Sequence, residues 1–210
     1  LAYNPGMMSN VPLPKPIHID TADALRSLLK TLQAEKCIAV DTESNSLYVY
    51  HEKVCLIQFS TRTADYLVDP LSGIDISSLS VLFADPQIEK VFHAAEYDVI
   101  CLRRDYGFTF HNLFDTMQAA RILGFPKLGL SSLLEGYFSV SVDKRFQKAN
   151  WGKRPLPSAM ADYARLDTHY LLPLREILLK SLIETDHMQV AREDFVRIAT
   201  SCCTPNGKPS

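Results

Sequence analysis

The spacing of apolar residues along the chain changes several times, and each change predicts an element. Leu25, Leu28, Leu29 and Leu32 recur at i, i+3, i+4 and i+7, the stripe of an amphipathic helix over residues 21–36 with Thr21 as its N-cap. An apolar run follows, Cys37-Ile38-Ala39-Val40, closed by Asp41-Thr42-Glu43. A short run without polar alternation predicts a buried strand. Residues 54–60 and 65–71 predict two more strands, joined by the polar Thr61-Arg62-Thr63. So short a connection favours an antiparallel meander.

Beyond this meander the pattern turns helical. Residues 76–83 predict a helix that stops at Asp85-Pro86, 89–93 a short strand, and 94–106 a helix closed by Gly107. A brief strand at 112–114 leads into a helix over 115–123, with Asp115 as its cap and Gly124 as its stop. Residues 130–138 predict another helix, 158–183 a long helical region that Pro173 should kink or break, and 190–200 a last helix. Prolines 5, 12, 14 and 16 make residues 1–16 an irregular lead-in, within which 1–6 read as a tag remnant. Residues 201–210 read as a disordered tail. Strands mostly first and then alternating with helices predict an α/β fold, a mixed sheet with helices on both faces. No linker or repeat interrupts residues 17–200, which are expected to form one domain.

Composition narrows the classes. At 210 residues and 47% hydrophobic the chain can bury a sizeable core, and its apolar runs are too short to span a membrane. No signal peptide is evident, no C-x-x-C pair is present, and the cysteines number five. Zinc and a disulfide framework are thereby disfavoured, and a reducing cytoplasmic setting is expected, with the nucleus also open. A net charge of −2 argues against coating nucleic acid by bulk attraction. Local binding is a different matter. Residues 144–154 hold Lys144, Arg145, Lys148, Lys153 and Arg154 without an acid, interleaved with Phe146, Gln147 and the lone Trp151. Such a segment can track a phosphate backbone and stack bases. It can equally be a solvated basic loop with Trp151 plugging the core.

The candidate chemistry lies in carboxylates. Asp41 and Glu43 alternate on a strand and so project from one face. Tyr163 and Asp167 are four apart in a helical stretch and also share a face. Asp98 comes from a third segment. Taken singly these are ordinary residues: a turn acid, an exposed helix acid, a surface pair. Asp115 reads as a cap, and His93 and His169 as core or surface histidines. Together, carboxylates from three elements repel unless cations neutralise them, and hard oxygen ligands suit Mg²⁺ or Mn²⁺.

Their order and spacing resemble the DEDD superfamily of 3′→5′ exonucleases. Asp41-Thr42-Glu43 matches its first motif, Asp98 after His93-Ala94-Ala95-Glu96-Tyr97 its second, and Tyr163 four before Asp167 its third. Asp162 stands where the histidine branch would have His, which places the chain in the tyrosine branch. Within that branch it is similar to ribonuclease D and its relatives. Val68-Asp69-Pro70-Leu71, Phe114-Asp115-Thr116, Trp151-Gly152-Lys153-Arg154-Pro155-Leu156 and Leu171-Leu172-Pro173 carry the likeness, which covers residues 17–182. Two departures stand out. Relatives carry Ser-Asp before the tryptophan where this chain has Ala149-Asn150, and they continue into helical C-terminal domains of which little follows here. The chain therefore reads as a short or truncated form.

The resemblance implies a ribonuclease H-like fold, a mixed five-stranded sheet flanked by helices. It also implies a 3′-5′ exonuclease that hydrolyses RNA from the 3′ end to nucleoside 5′-monophosphates, in RNA processing or turnover. Two divalent cations, Mg²⁺ or Mn²⁺, about 3.5–4 Å apart would serve the reaction. By the same likeness Asp41 would bridge them, Glu43 and Asp167 would complete the first site, and Asp98 would serve the second through water. Tyr163 would orient the attacking water, and Lys144, Gln147, Trp151 and Arg154 would contact nucleic acid. Single-stranded RNA 3′ ends, among them tRNA precursors and small stable RNA, are the expected partners. A DNA exonuclease on the same fold and a non-catalytic binding module are the alternatives. An aspartyl-nucleophile phosphatase is disfavoured, because Glu43 stands where a second Asp is needed.

Overall fold

The Thr21 hydroxyl accepts the Ala24 N–H at 3.3 Å and starts the first helix where the sequence places it. The computed structural model describes residues 13–143 and 145–202; residues 1–6, expected to be a tag remnant, Lys144 and all of the tail expected at 201–210 except Ser201 and Cys202 lie outside the described residues. In chain order the strands are β1 (Ile17–Ile19), β2 (Cys37–Ser44), β3 (Val54–Ser60), β4 (Asp65–Val68), β5 (Glu89–Phe92) and β6 (Leu113–Asp115). The helices are α1 (Ala22–Gln33), α2 (Ser80–Ala84), α3 (Glu96–Tyr106), α4 (Thr116–Ile122), α5 (Leu130–Phe138), α6 (Ser158–Ala164), α7 (Leu166–His169), α8 (Leu171–Glu184) and α9 (Met188–Ala199).

The strands form one mixed sheet in the order β1-β4-β3-β2-β5-β6. β2, β3 and β4 make the antiparallel meander, while β5, β6 and β1 join it in parallel. The sheet has six strands rather than five, because β1 pairs with β4 through Ile17, His18 and Ile19. Three residues after a proline-rich lead-in carry too little pattern to announce a strand. The predicted strand at 65–71 ends early, at Val68, where the Asp69 side chain accepts the Leu71 N–H and caps a short 3₁₀ turn.

Every residue of β3 is buried, as befits a central strand covered on both faces. Leu25, Leu28 and Leu32 of α1 share the main core with Ile38, Val40, Ile57 and Phe59. Phe83 extends it, its ring 6.0 Å from Phe59 and 5.3 Å from Phe108. A smaller cluster gathers Leu56, Leu67, Trp151, Met160, Ala161 and Ala164, with Tyr163 and Phe146 packed against it.

The long helical region breaks, but not where proline suggested. The interruptions fall at Arg165 and Tyr170, leaving α6, α7 and α8 as separate helices. Pro173 lies in the first turn of α8, where a backbone N–H would lack an intrahelical partner anyway, so the ring is tolerated. Among the described residues no helix is long and apolar enough to cross a membrane.

Candidate active site

β2 pairs with β5 only as far as Ala39, so beyond that residue its edge on this side is free of strand pairing. Asp41, Thr42 and Glu43 lie in this stretch and stay paired with β3 on the other side, Asp41 opposite Gln58 and Glu43 opposite Leu56. The register slips immediately after Glu43, a bulge of the kind that re-aims side chains at the end of a strand.

Asp98, in the first turn of α3, fills the free edge. Its carboxylate accepts the Thr42 hydroxyl, and the Thr42 backbone adds a second hydrogen bond. The turn before α3 is held from the next strand. Asp115, fully buried at the end of β6, accepts four backbone N–H groups: Ala94 at 3.2 Å, Ala95 at 2.7 Å, Met117 at 2.8 Å and Gln118 at 3.0 Å. It therefore caps α4 and also pins the Ala94 turn, whose φ of 62° lies in the left-handed region where a side chain is strained. The sequence shows Asp115 as a cap; its second role, joining two strand ends, has no one-dimensional signal.

α7 packs against β2 and β3 and delivers Asp167. Asp41, Glu43 and Asp167, all half-buried, each place a carboxylate oxygen within 4.8 Å of the others. Asp98 stands beside this trio rather than in it. Burial raises the proton affinity of all four acids, and repulsion from neighbouring carboxylates adds to it, in the case of Asp98 from Asp115. Asp41 is raised well above the usual carboxylate range by burial and then by Asp98, Asp167 and Glu43. Glu43 is raised by burial and then by Asp167 and Asp98. Asp98 and Asp167 are each pushed up to about 7, chiefly by burial. No cation balances any of the four among the described residues. An all-oxygen, mutually repelling set of this kind fits hard divalent ions.

Tyr163, at the end of α6, faces the same acids. Burial, then Asp167, Glu43 and Asp41 in turn, hold its phenol protonated. Phe146 meets its ring edge-on at 5.8 Å, and Trp151 lies across it at 6.1 Å with the planes 32° apart. Tyr163 and Asp167 thus reach one site from two short helices rather than from one long one.

The predicted nucleic-acid contacts divide. Trp151 is 2% exposed, so it plugs the second cluster and cannot offer a face to a base. Arg154 is also withdrawn from that set: its guanidinium grips Asp69 at 2.6 and 2.7 Å and spends its other N–H groups on the carbonyls of Cys55, Trp151 and Lys153. Lys144 lies outside the described residues. Gln147, Lys148 and Lys153 are exposed. His93 and His169 are structural, the first bonded to Thr116 at 2.9 Å and the second to Asp65 at 2.9 Å.

The chain matches known proteins over the part that builds this site. A family model described as 3′-5′ exonuclease matches residues 16–183. The exosome complex component 10 homolog of Caenorhabditis elegans is 44% identical over 174 residues, 82% of this chain and 20% of that protein. The exosome complex exonuclease RRP6 of Saccharomyces cerevisiae is 42% identical over 174 residues, 82% of this chain and 24% of that protein. Among solved structures, Escherichia coli RNase D, described as an exoribonuclease involved in structured RNA processing, matches with a TM-score of 0.84 and 31% identity over 89% of this chain and 50% of that one. The catalytic core of RRP6 from Trypanosoma brucei matches with a TM-score of 0.84 and 34% identity over 93% and 54%. The chain thus spans about a fifth to a quarter of the length of these curated relatives.

Proposed function

Because the chain belongs to the 3′-5′ exonuclease family, in its ribonuclease D-like branch, we propose that it is a metal-dependent exoribonuclease that shortens single-stranded RNA from the 3′ end and releases nucleoside 5′-monophosphates. Residues 17–200 are its catalytic domain. The observation that carries this reading is the meeting of Asp41, Glu43 and Asp167 within 4.8 Å, with Asp98 fastened beside them.

Two divalent cations, Mg²⁺ or Mn²⁺, would be held by Asp41, Glu43 and Asp167 together with Asp98, and would supply Lewis acidity at the phosphate and charge neutralisation at the attacking and leaving oxygens. The protein's own groups do the rest. Tyr163 stays a phenol, so it can donate a hydrogen bond to an incoming water or accept one from it, and its place beside Asp167 and Glu43 aims that water. The free edge of β2 and the fastened start of α3 fix the spacing of the acids before substrate arrives, which is the preorganisation such chemistry needs. Gln147, Lys148 and Lys153 supply backbone contacts from the exposed side of the basic segment.

By likeness to its relatives the chain acts on processing or decay intermediates in the cytoplasm or nucleus, tRNA precursors and small stable RNA being the substrates to try first. Incubating 3′-labelled and 5′-labelled RNA with Mg²⁺, Mn²⁺ or EDTA tests the reading. Stepwise loss from the 3′ end, blocked by EDTA and yielding 5′-monophosphates, is expected. Cleavage that persists in EDTA, or products that carry 3′-phosphates, would reject it. Faster loss of DNA of the same sequence would move the substrate to DNA.

A further inference from the structure

Arg154 is the most fully engaged side chain near the site, and none of its partners is an acid of the cluster. Nε donates to Asp69 Oδ2 at 2.6 Å and Nη2 to Asp69 Oδ1 at 2.7 Å, a two-pronged pair. Nη2 also donates to the Cys55 carbonyl at 2.6 Å, and Nη1 to the carbonyls of Trp151 and Lys153, each at 2.8 Å. Every N–H of the guanidinium is occupied, so it has none left for a phosphate. Asp69 is equally committed, since Oδ1 also accepts the Leu71 N–H at 2.9 Å.

Arg154 therefore clamps the backbone of the 151–154 turn to β3 and to the end of β4. Trp151 is the side chain this clamp presents to the interior. It is buried against Leu56 and Leu67, and its indole N–H finds no acceptor among the described residues, so packing and the clamp alone hold it. Its ring lies 6.1 Å from that of Tyr163, the two planes 32° apart. Gly152 fits tightly against Asn45 of the loop after β2: a Cβ there would come within 3.2 Å of the Asn150 side chain and 3.4 Å of Asn45.

We propose that Arg154 and Asp69 are positioning residues for the tyrosine of the site: their ion pair seats Trp151, and Trp151 sets the angle at which Tyr163 faces Asp167 and Glu43. The proposal rests on the exonuclease reading for its kinetic consequence but not for its structural one. A misplacement of about 1 Å in a positioned group can cost on the order of a hundredfold in rate, so a modest tilt of Tyr163 is enough to matter.

Two measurements test this. The chain holds nine tyrosines, and 3-fluorotyrosine labelling with Tyr163→Phe as the assignment control identifies the fluorine signal of Tyr163. Arg154→Lys and Asp69→Asn change neither aromatic ring, yet both should shift that signal while most others stay. In single-turnover digestion of 5′-labelled oligoadenylate RNA with Mg²⁺, each variant should lose about ten- to a hundredfold in rate. Its RNA affinity, measured with Ca²⁺, should hold within about twofold. In a Tyr163→Phe background, Arg154→Lys should cause no further loss of rate. Three results overturn the proposal: an unmoved Tyr163 signal, weakened RNA binding with the saturated rate retained, or losses that multiply with Tyr163→Phe. If wild type degrades neither RNA nor DNA the exonuclease reading fails, and the fluorine signal still decides the positioning. Should Arg154→Lys fold poorly by circular dichroism, Asp69→Asn, which keeps side-chain volume, decides in its place.

Discussion

The Thr42 hydroxyl donates a hydrogen bond to the Asp98 carboxylate, so the strand that carries Asp41 and Glu43 also fastens the acid contributed by α3. The bond crosses the gap that β5 leaves by stopping its pairing with β2 at Ala39. Removing it should loosen Asp98 without removing a charge. Thr42→Val, nearly the same shape, should raise the Mn²⁺ concentration needed for half-maximal activity by about ten- to a hundredfold, the usual cost of losing a group that orients a ligand. A metal titration at fixed RNA concentration measures it. An unchanged midpoint would show that Asp98 is held well enough by the Thr42 backbone.

Asp41→Asn should abolish turnover and yet stabilise the metal-free protein at pH 8. The sign follows from the raised proton affinities. Asp98 and Asp167 titrate near pH 7 in the folded chain against 3.8 for an ordinary aspartate. Between those values the folded state binds more protons than the unfolded one, so the cluster's contribution to stability is lost as pH rises from about 4 through about 7. Replacing one acid by an amide relieves that loss. In EDTA the variant should melt on the order of 4 °C above wild type at pH 8, with the gap closing by pH 5. A gap independent of pH would show that repulsion is not its cause.

Mn²⁺ should raise the melting temperature of wild type at pH 8 far more than at pH 5, because protons compete for the same oxygens. At a hundred times its dissociation constant a bound ion contributes about 2.7 kcal/mol. Calorimetry with and without Mn²⁺ reads this directly. Equal shifts at both pH values would place the ion elsewhere.

Tyr163→Phe should slow the chemical step by about 10²–10⁴-fold, the range for a lost acid–base or positioning group, and leave RNA and metal binding intact. Single-turnover digestion at saturating enzyme separates the two. An unchanged rate would reduce Tyr163 to a packing residue.

Neutralising Lys148 and Lys153 together should weaken RNA binding equally for all sequences, since phosphate contacts position rather than specify. The dependence of log affinity on log salt should flatten by up to about 0.7 per lost phosphate contact on a single strand. A salt series on wild type and the double variant gives the slopes, and identical slopes would mean that this face of the segment points away from the substrate.

The grouping of the four acids with Tyr163 came from the likeness of their order and spacing to a known family, each being unremarkable alone. Most element boundaries were legible in the sequence itself, because alternation, helical spacing and capping are local signals. β1 was not, since three residues behind a run of prolines give no period to read. The breaks at Arg165 and Tyr170 were also hidden: proline is a conspicuous breaker, but the first turn of a helix accepts it. Arg154 and Trp151 were misplaced for a different reason. Composition shows a basic, aromatic stretch and says nothing of which cations are already spent, and the pair with Asp69 spans two distant segments. The second role of Asp115 is invisible for the same reason, because it lies in the backbone of another strand's exit.

Asp167 comes from α7, long after β2 has supplied Asp41 and Glu43 and α3 has supplied Asp98. A polypeptide still on the ribosome therefore carries most of the acids well before the one that completes the trio, and α7 must also dock on β2 and β3 before its carboxylate counts. Until α7 docks, the acids of β2 and α3 are an incomplete ligand set, and the site is completed in one step by a contact between distant parts of the chain.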